Sequence, residues 1–269
     1  MRIGWIVTLA VLGSVGAIAL AESPPASQAQ DSAANQAAQM PANATVDQVL
    51  DAMDARGQNL TDFSAKVKLT NSDASTGDSV INDGTVQFQK KPDGDVRIRV
   101  AFDKQQTGDE IDEVDHVYVL DSGWLVERDA KAKKEIRRQV KKPGEKIDPF
   151  KLGEGPFPLP IGQKKEDVKK LFTVTLIPPA KDDPTNTLHL LLVPIAGTDY
   201  DGKFKTIDLW VDRTSAMPVR IKTIDSTETT VKQTDLSDVK TNSGIDDAIF
   251  NVGPLPGGWD QVIEPYGQQ

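Results

Sequence analysis

The chain has 269 residues, of which 38% are hydrophobic and 26% charged, and its formal net charge is −9. These values are ordinary for a globular protein and disfavour nucleic acid as a partner, because a phosphate backbone requires a basic surface. The sequence has no cysteine, which excludes disulfides and thiol chemistry, and its two histidines, His116 and His189, leave little for a metal site. We therefore expect neither a cofactor nor a bound metal.

The N-terminus has the features of a secretory signal. Arg2 precedes an apolar run that ends at Leu20, and Ala19-Leu20-Ala21 fits the small-x-small cleavage pattern. We expect residues 1–21 to be a signal peptide, with an uncleaved membrane anchor as the alternative. Residues 22–44 are rich in Pro, Ser, Gln and Ala and are predicted to form a flexible leader. The remaining residues, 45–269, are predicted to form a single domain.

One amphipathic helix should open that domain. Thr45 and Gln48 form a T-x-x-Q capping box, and Val46, Leu50 and Met53 recur at helical spacing. Apolar and polar residues then alternate in segments joined by short turns, which predicts an antiparallel meander. The eleven predicted strands lie near 63–70, 80–90, 96–102, 115–120, 124–128, 134–140, 172–177, 187–193, 205–212, 217–224 and 228–240.

Pro92-Asp93-Gly94 predicts the turn of a β-hairpin, since Pro presets φ, Asp bonds its own backbone and Gly tolerates a positive φ. Pairing Lys91 with Asp95 then fixes the register of the two strands. The pairs are Phe88–Ile98, Val86–Val100, Gln89–Arg97 and Gln87–Arg99. We expect one face to line the interior of a curled sheet, against packed side chains or a guest acyl chain: Val86, Phe88, Val96, Ile98 and Val100.

Residues 141–162 interrupt the meander and are too rich in Pro and Gly for a helix. Such an insert is predicted to be a lid or binding loop, with a surface crossover as the alternative. A short helix is predicted at 163–172. An eleven-stranded curled sheet has a large concave apolar face, and one helix and one Pro-rich segment are a thin cover for it. A partly unfilled cavity able to hold an acyl chain is therefore plausible.

No catalytic motif is present: the sequence has no G-x-S-x-G, H-E-x-x-H, P-loop or G-x-G-x-x-G. The acidic stretch 107–116 could be a cation site, but its spacing fits no known loop and favours a solvated hairpin extension. His189 alternates with leucines and is interpreted as structural. We expect a protein that is not an enzyme.

Four motifs in order resemble the periplasmic outer-membrane lipoprotein carrier (LolA) family. They are the helix at 45–67, "GTVQFQKKPDGDVRIRV" at 84–100, "VLDSGWLVERD" at 119–129 and "GIDDAIFNVGPLPGGWDQV" at 244–262. The resemblance covers residues from about Thr45 to Val262. It implies a mainly β fold with a few helices, an unclosed antiparallel β-barrel covered by an N-terminal helix and a lid segment.

The resemblance also implies a function. A soluble periplasmic carrier of this kind holds the acyl chains of lipoproteins, or related lipids, in a hydrophobic cavity and moves them from the inner toward the outer membrane. It would act as a monomer, with transient contacts to an inner-membrane exporter and an outer-membrane acceptor. A functional arginine of the family falls on Lys91, which makes Lys91 the candidate lid or latch residue, although lysine is a point charge rather than a planar fork.

Two other functions remain open at this stage. A regulator that senses mislocalised lipoproteins could use the same fold, and a periplasmic hydrolase could act without a recognisable motif. Fold alone does not decide among them.

Overall fold

The computed structural model describes residues 39–142, 145 and 164–267, which belong to one compact unit. The predicted signal peptide, most of the predicted leader and most of the predicted lid at 141–162 lie outside the described residues. Among the residues described, no helix has both the length and the apolar character needed to cross a membrane.

Twelve strands form one sheet in the order β12-β6-β5-β4-β3-β2-β1-β11-β10-β9-β8-β7. All neighbours are antiparallel except β12 and β6, which run parallel. The two end strands, β12 and β7, do not pair with each other, so the sheet is not closed and the predicted unclosed antiparallel architecture is confirmed. The strands are β1 Asp62–Asp73, β2 Ser79–Lys90, β3 Val96–Thr107, β4 Glu110–Asp121, β5 Trp124–Asp129, β6 Lys134–Gln139, β7 Phe172–Ile177, β8 Thr187–Pro194, β9 Phe204–Asp212, β10 Pro218–Asp225, β11 Thr230–Thr241 and β12 Asp260–Glu264.

The predicted meander is in fact two meanders, β1–β6 and β7–β11, joined where β1 pairs with β11. All eleven predicted strands are present. The twelfth, β12, was not predicted, because its short exposed sequence "DQVIE" has no turn partner next to it in the chain.

In the described part of the chain, two α-helices and one 3₁₀ turn accompany the sheet: α1 Val46–Gln58, α2 Lys165–Leu171 and the turn Asp247–Phe250. The predicted capping box is confirmed, since the Gln48 N–H donates to Thr45 Oγ1 and the Thr45 N–H donates to Gln48 Oε1. Helix α1 buries Val49, Leu50 and Met53. It also packs against α2 and β7, so both helices lie on the same side of the sheet.

We call that side the inner face. Because side chains alternate across a strand, every second residue contributes to one apolar layer there. The layer extends over ten strands, from Leu125 of β5 to Phe172 of β7. At its centre the rings of Phe63 and Phe88 stack at 5.7 Å between centroids, directly across the β1–β2 pair. This layer is the hydrophobic core of the protein.

One close approach between β2 and β3 requires a glycine. The register shifts at Gly84, and a Cβ atom at this position would lie 1.9 Å from the carbonyl oxygen of Ala101. Any larger residue would therefore push the two strands apart at the bulge.

The last residues of the predicted leader are part of the folded domain. Met40 and Ala44 are buried, and the Met40 N–H donates to the Arg213 carbonyl at 2.8 Å. Arg213 Nε donates in return to the Met40 carbonyl at 2.8 Å. The prediction of a flexible leader up to residue 44 is wrong for residues 39–44, because composition does not reveal two apolar anchors in a polar stretch.

On the opposite, outer face, the C-terminal segment crosses the strands β3–β6 and is held by a buried carboxylate. Glu135 is fully buried and accepts from Arg128 Nε and Arg137 Nε, each at 2.5 Å, and from Gln261 Nε2 at 2.7 Å. These three donors lie on β5, β6 and β12. Burial raises the pKa of Glu135, but the hydrogen bonds from Arg137, Gln261 and Arg128 outweigh it and lower the pKa from 4.5 to about 2.

We expect Glu135→Gln to lower the free energy of unfolding by about 3 kcal/mol at neutral pH, since it leaves the nearly buried Arg128 and the partly exposed Arg137 without their shared anion. The matched control is Glu113→Gln on β4, an exposed position where the change should cost about 0.5 kcal/mol or less. Denaturant unfolding of both variants measures the difference, and equal losses would contradict the role of Glu135.

The same carboxylate predicts a pH dependence. Its pKa is lower in the folded protein, so its stabilisation is fully present above pH 4.5 and is lost as the pH falls toward 2. The stability gap between the wild-type protein and Glu135→Gln should therefore narrow over that interval. A gap that stays constant would contradict the pKa assignment.

Candidate functional site

The five residues predicted to line the interior all lie in the apolar layer of the inner face. They are Val86, Phe88, Val96, Ile98 and Val100, each buried. The predicted hairpin register is confirmed, with Phe88 opposite Ile98 and Val86 opposite Val100. That these side chains contact an acyl chain stays a prediction.

The side chains on the inner face differ in polarity from strand to strand between β2 and β6. One row of directly opposed residues runs from β2 to β6 through Phe88, Ile98, Leu120, Leu125 and Arg138. Its first four members are buried and apolar, and its last is a charged side chain.

The neighbouring row is apolar on β2 and β3, polar on β4 and β5, and apolar again at its last residue, on β6. It runs through Val86, Val100, Tyr118, Glu127 and Ile136. The inner face is thus apolar over β2 and β3, and over β4 to β6 polar side chains lie next to apolar ones. A surface of this kind can contact an apolar chain at one end and a polar group at the other.

The polar end is a hydrogen-bonded set that sequence reasoning did not identify. Glu127 accepts from Tyr118 Oη at 3.2 Å, lies 3.0 Å from His116 Nε2, and is 3.4 Å from Arg138 Nη1. Arg138 Nε donates to Glu264 of β12 at 2.6 Å. We call these residues the polar rim: His116, Tyr118, Glu127, Arg138 and Glu264.

The rim contains a phenol that stays protonated. Burial raises the pKa of Tyr118, and the negative charge of Glu127 raises it further. Tyr118 therefore donates to Glu127 throughout the physiological range, while its ring stacks on that of His116 at 4.6 Å. The ring stacking and the shared carboxylate hold the rim side chains in one arrangement.

Neither histidine is arranged to activate a nucleophile among the described residues. His116 contacts Glu127, while His189 lies on the outer face, where Nε2 contacts Asp208 Oδ1 at 2.8 Å. The ring of His189 also stacks on Trp210 at 4.1 Å. These contacts are of the kind expected for histidines that stabilise a sheet.

The acidic stretch 107–116 forms the turn between β3 and β4 and the first part of β4. Asp109, Glu110 and Glu113 are exposed there, as expected for a solvated hairpin extension. Within the described part of the chain, no group of three or more His, Asp or Glu residues is placed to hold a metal ion.

Lys91, the candidate latch residue, connects two hairpin turns. Its N–H donates to the Asp95 carbonyl at 2.7 Å, so the predicted pairing holds for the backbone. Its ammonium group instead donates to Asp121 Oδ1 at 2.8 Å and to Ser122 Oγ at 3.1 Å, in the β4–β5 turn. The side chain of Lys91 thus bridges from the β2–β3 turn to the β4–β5 turn.

Asp95 has a different partner. Its two carboxylate oxygens each accept from Lys141 Nζ at 3.0 Å, and both side chains are nearly buried. Burial raises the pKa of Asp95, but the hydrogen bonds from Lys141 and from the Val96 N–H, together with the charges of Lys141 and Lys91, outweigh it and the net shift is downward. The first residue of the predicted lid is thus fixed to the turn of the β2–β3 hairpin.

No family model matches the chain, and no curated protein matches it. Solved structures do resemble it. An uncharacterized conserved protein from Thermus thermophilus is 11% identical, with 81% of this chain and 98% of that chain covered and a TM-score of 0.46. A LolA superfamily protein from Nitrosomonas europaea is 12% identical, with 77% and 98% covered and a TM-score of 0.31.

A third similar structure is the MucA/MucB complex of Pseudomonas aeruginosa, at 13% identity, with 76% of this chain and 60% of that chain covered and a TM-score of 0.41. Identities and scores this low carry no information about ligand or activity, which must come from the chain's own geometry.

We expect Lys91→Met to lower the free energy of unfolding by about 1 kcal/mol, since it removes a charged hydrogen bond from a position that is 21% exposed. Lys131→Met is the control, because Lys131 pairs with Asp112 at a position that is 73% exposed. Loss of that pair should lower the free energy of unfolding by less than about 0.5 kcal/mol. Thermal unfolding measures both, and equal shifts in Tm would contradict the bridging role of Lys91.

Proposed function

We propose that this protein is a periplasmic carrier that binds the acyl chains of lipoproteins or related lipids on the inner face of its sheet. The observation that carries the proposal is the pair of inner-face rows that run from buried apolar residues on β2 and β3 to the polar rim on β5 and β6. A lipid or an acylated peptide has a matching arrangement, since its apolar chain is attached to a polar group.

The apolar part of the site is formed by aliphatic and aromatic side chains. Val86, Phe88, Ile98 and Val100 lie side by side and are continuous with Leu120 of β4. Each CH₂ group of a guest chain that leaves water for such a surface gains about 0.8 kcal/mol. A long acyl chain therefore supplies enough binding energy without any specific polar contact.

The polar rim gives the bound chain a direction. Arg138 and Glu127 are each partly exposed, at 34% and 23%, so they can contact a group at the end of the chain. Tyr118 and His116 add hydrogen-bonding atoms beside them. In this proposal the acyl chain lies over β2–β4 and the linked polar group lies over β5 and β6.

Transport from the inner toward the outer membrane is the activity that the sequence resemblance implies for such a site. It requires release as well as binding, which transient contacts with an exporter and an acceptor would provide. Monomeric action and the lid at 141–162 belong to the same proposal.

We expect Ile98→Asn to weaken binding of a palmitoylated peptide about tenfold or more, because it places an amide in the apolar part of the site. In a packed core this change costs on the order of 3–5 kcal/mol of stability. Val100→Thr, which keeps the side-chain volume, is therefore the second variant and should weaken binding in a protein that remains folded. Lys68→Asn, exposed on the outer face of β1, introduces the same side chain and should change nothing.

Fluorescence titration with the palmitoylated peptide, with the same peptide lacking its acyl chain as reference, gives the affinities. Circular dichroism establishes that each variant is folded. If folded Ile98→Asn and Val100→Thr both bind the acylated peptide as tightly as Lys68→Asn, the inner face is not the binding site.

A further inference from the structure

A cavity lies on the outer face, between the sheet and the C-terminal segment. This segment is fixed at two points. Arg97 forms an ion pair with Asp247 and stacks 4.5 Å above the ring of Phe250, and Arg128 Nη2 donates to the Gly253 carbonyl at 2.9 Å. Next to these contacts a cavity of about 520 Å³ remains.

The walls of this cavity differ in character. Val252, Pro256 and Trp259 of the C-terminal segment and Val117 of β4 provide an apolar wall. The sheet contributes four polar side chains: Gln87, Arg99, Asp115 and Arg128. A volume of this size, lined by apolar side chains together with several polar ones, suits a small ligand that has both apolar and polar groups.

Arg99 differs from the other arginines on this face. Arg97 bonds Asp247, Arg128 bonds Glu135 and two carbonyls, and Arg137 bonds Glu135. Arg99 is also partly buried and lines the cavity, but it has no hydrogen-bond acceptor among the described residues. Burial lowers its pKa, while the charge of Asp115 at the cavity edge opposes that effect. A partly desolvated guanidinium of this kind is a strong donor for a carboxylate.

Gln87 has a hydrogen-bond acceptor that no donor among the described residues contacts. Its Oε1 atom is completely shielded from solvent and accepts no hydrogen bond in the described structure. Buried acceptors of this kind are rare in folded proteins, and each one calls for a donor. Gln87 and Arg99 are direct cross-strand partners. In the part of the chain that the structure describes, the Gln87 oxygen, which has no donor, therefore lies beside the Arg99 guanidinium, which has no acceptor.

We propose that this cavity binds an α-carboxylate with a nitrogen-bound hydrogen on the adjacent carbon, together with an apolar side chain. Such a group occurs in a free α-amino acid and at the C-terminus of a peptide. Its carboxylate accepts from Arg99 and its side chain packs against Trp259. Its N–H donates to Gln87 Oε1 after a rotation of the Gln87 side chain that brings this atom to the cavity. The site is independent of the inner face, because residues 87 and 99 alternate with the apolar residues of the same strands.

Four probes separate the parts of this proposal by isothermal titration calorimetry with the purified protein. L-phenylalanine and N-acetyl-L-phenylalanine carry both groups, L-phenylalaninamide lacks the carboxylate, and 3-phenylpropionate lacks the nitrogen. We expect one or both of the first two to bind, and each of the last two to bind about tenfold more weakly or worse. Tighter binding of the free amino acid indicates a metabolite as the source, and tighter binding of the acetylated form indicates a peptide C-terminus.

Two variants test the residues themselves. Arg99→Met keeps the length of the side chain and should abolish binding of the two complete probes. Gln87→Glu places a carboxylate beside Arg99, so it should also abolish binding while it raises Tm, because the guanidinium gains an internal partner. Lys68→Asn, on the outer face of β1 away from the cavity, is the control and should bind as the wild-type protein does.

The proposal is wrong if neither complete probe binds, or if the amide or the phenylpropionate binds as tightly as they do. It is also wrong if Gln87→Glu, which is not expected to impair folding, leaves the affinity unchanged. Neither result bears on the separate proposal that the inner face binds a palmitoylated peptide.

Discussion

The pairing of β1 with β11 is the interaction on which the rest of the structure depends. It joins two meanders through residues far apart in the chain, such as Phe63 and Thr241. Asn242 reinforces the joint, since its side chain accepts from the Thr61 N–H at 2.9 Å and its own N–H donates to the Asp62 carbonyl at 2.9 Å. Without this pairing each meander would expose an apolar face that is too small to support a core. With it, the two faces form one layer, and the helices cover that layer from a single side.

The alternation of side chains gives this single sheet two chemically different surfaces. The inner face passes from packed apolar residues to the polar rim, which suits an amphipathic guest. The outer face carries buried charge, with Glu135 and Arg128 holding the C-terminal segment against β5 and β6. Since the same hydrogen-bonded ladder positions both surfaces, a shift in register would exchange them. This explains why tight turns such as Pro92-Asp93-Gly94 matter for any site on either face.

The local parts of the fold could be predicted from sequence, because their determinants are adjacent in the chain. The Pro92-Asp93-Gly94 turn fixed the β2–β3 register, and the capping box fixed the start of α1. One part of the polar rim was also within reach: the two-residue turn at Ser122 and Gly123 places Tyr118 opposite Glu127. Contacts set by tertiary structure were not predictable. They include the partner of the Lys91 ammonium, the burial of Met40, and the parallel pairing of β12 with β6, none of which leaves a periodic signal.

The central claim is that the inner face holds an acyl chain, and the most direct test is to identify what the protein carries. The protein would be purified under non-denaturing conditions from the periplasm of its own host and analysed by native mass spectrometry, followed by fragmentation of any bound molecule. The account predicts a bound species that contains at least one long acyl chain, attached to a lipid headgroup or to an N-terminal peptide. Protein that is free of acyl-bearing molecules in repeated preparations, and that also takes up none when incubated with an acylated peptide, would contradict it.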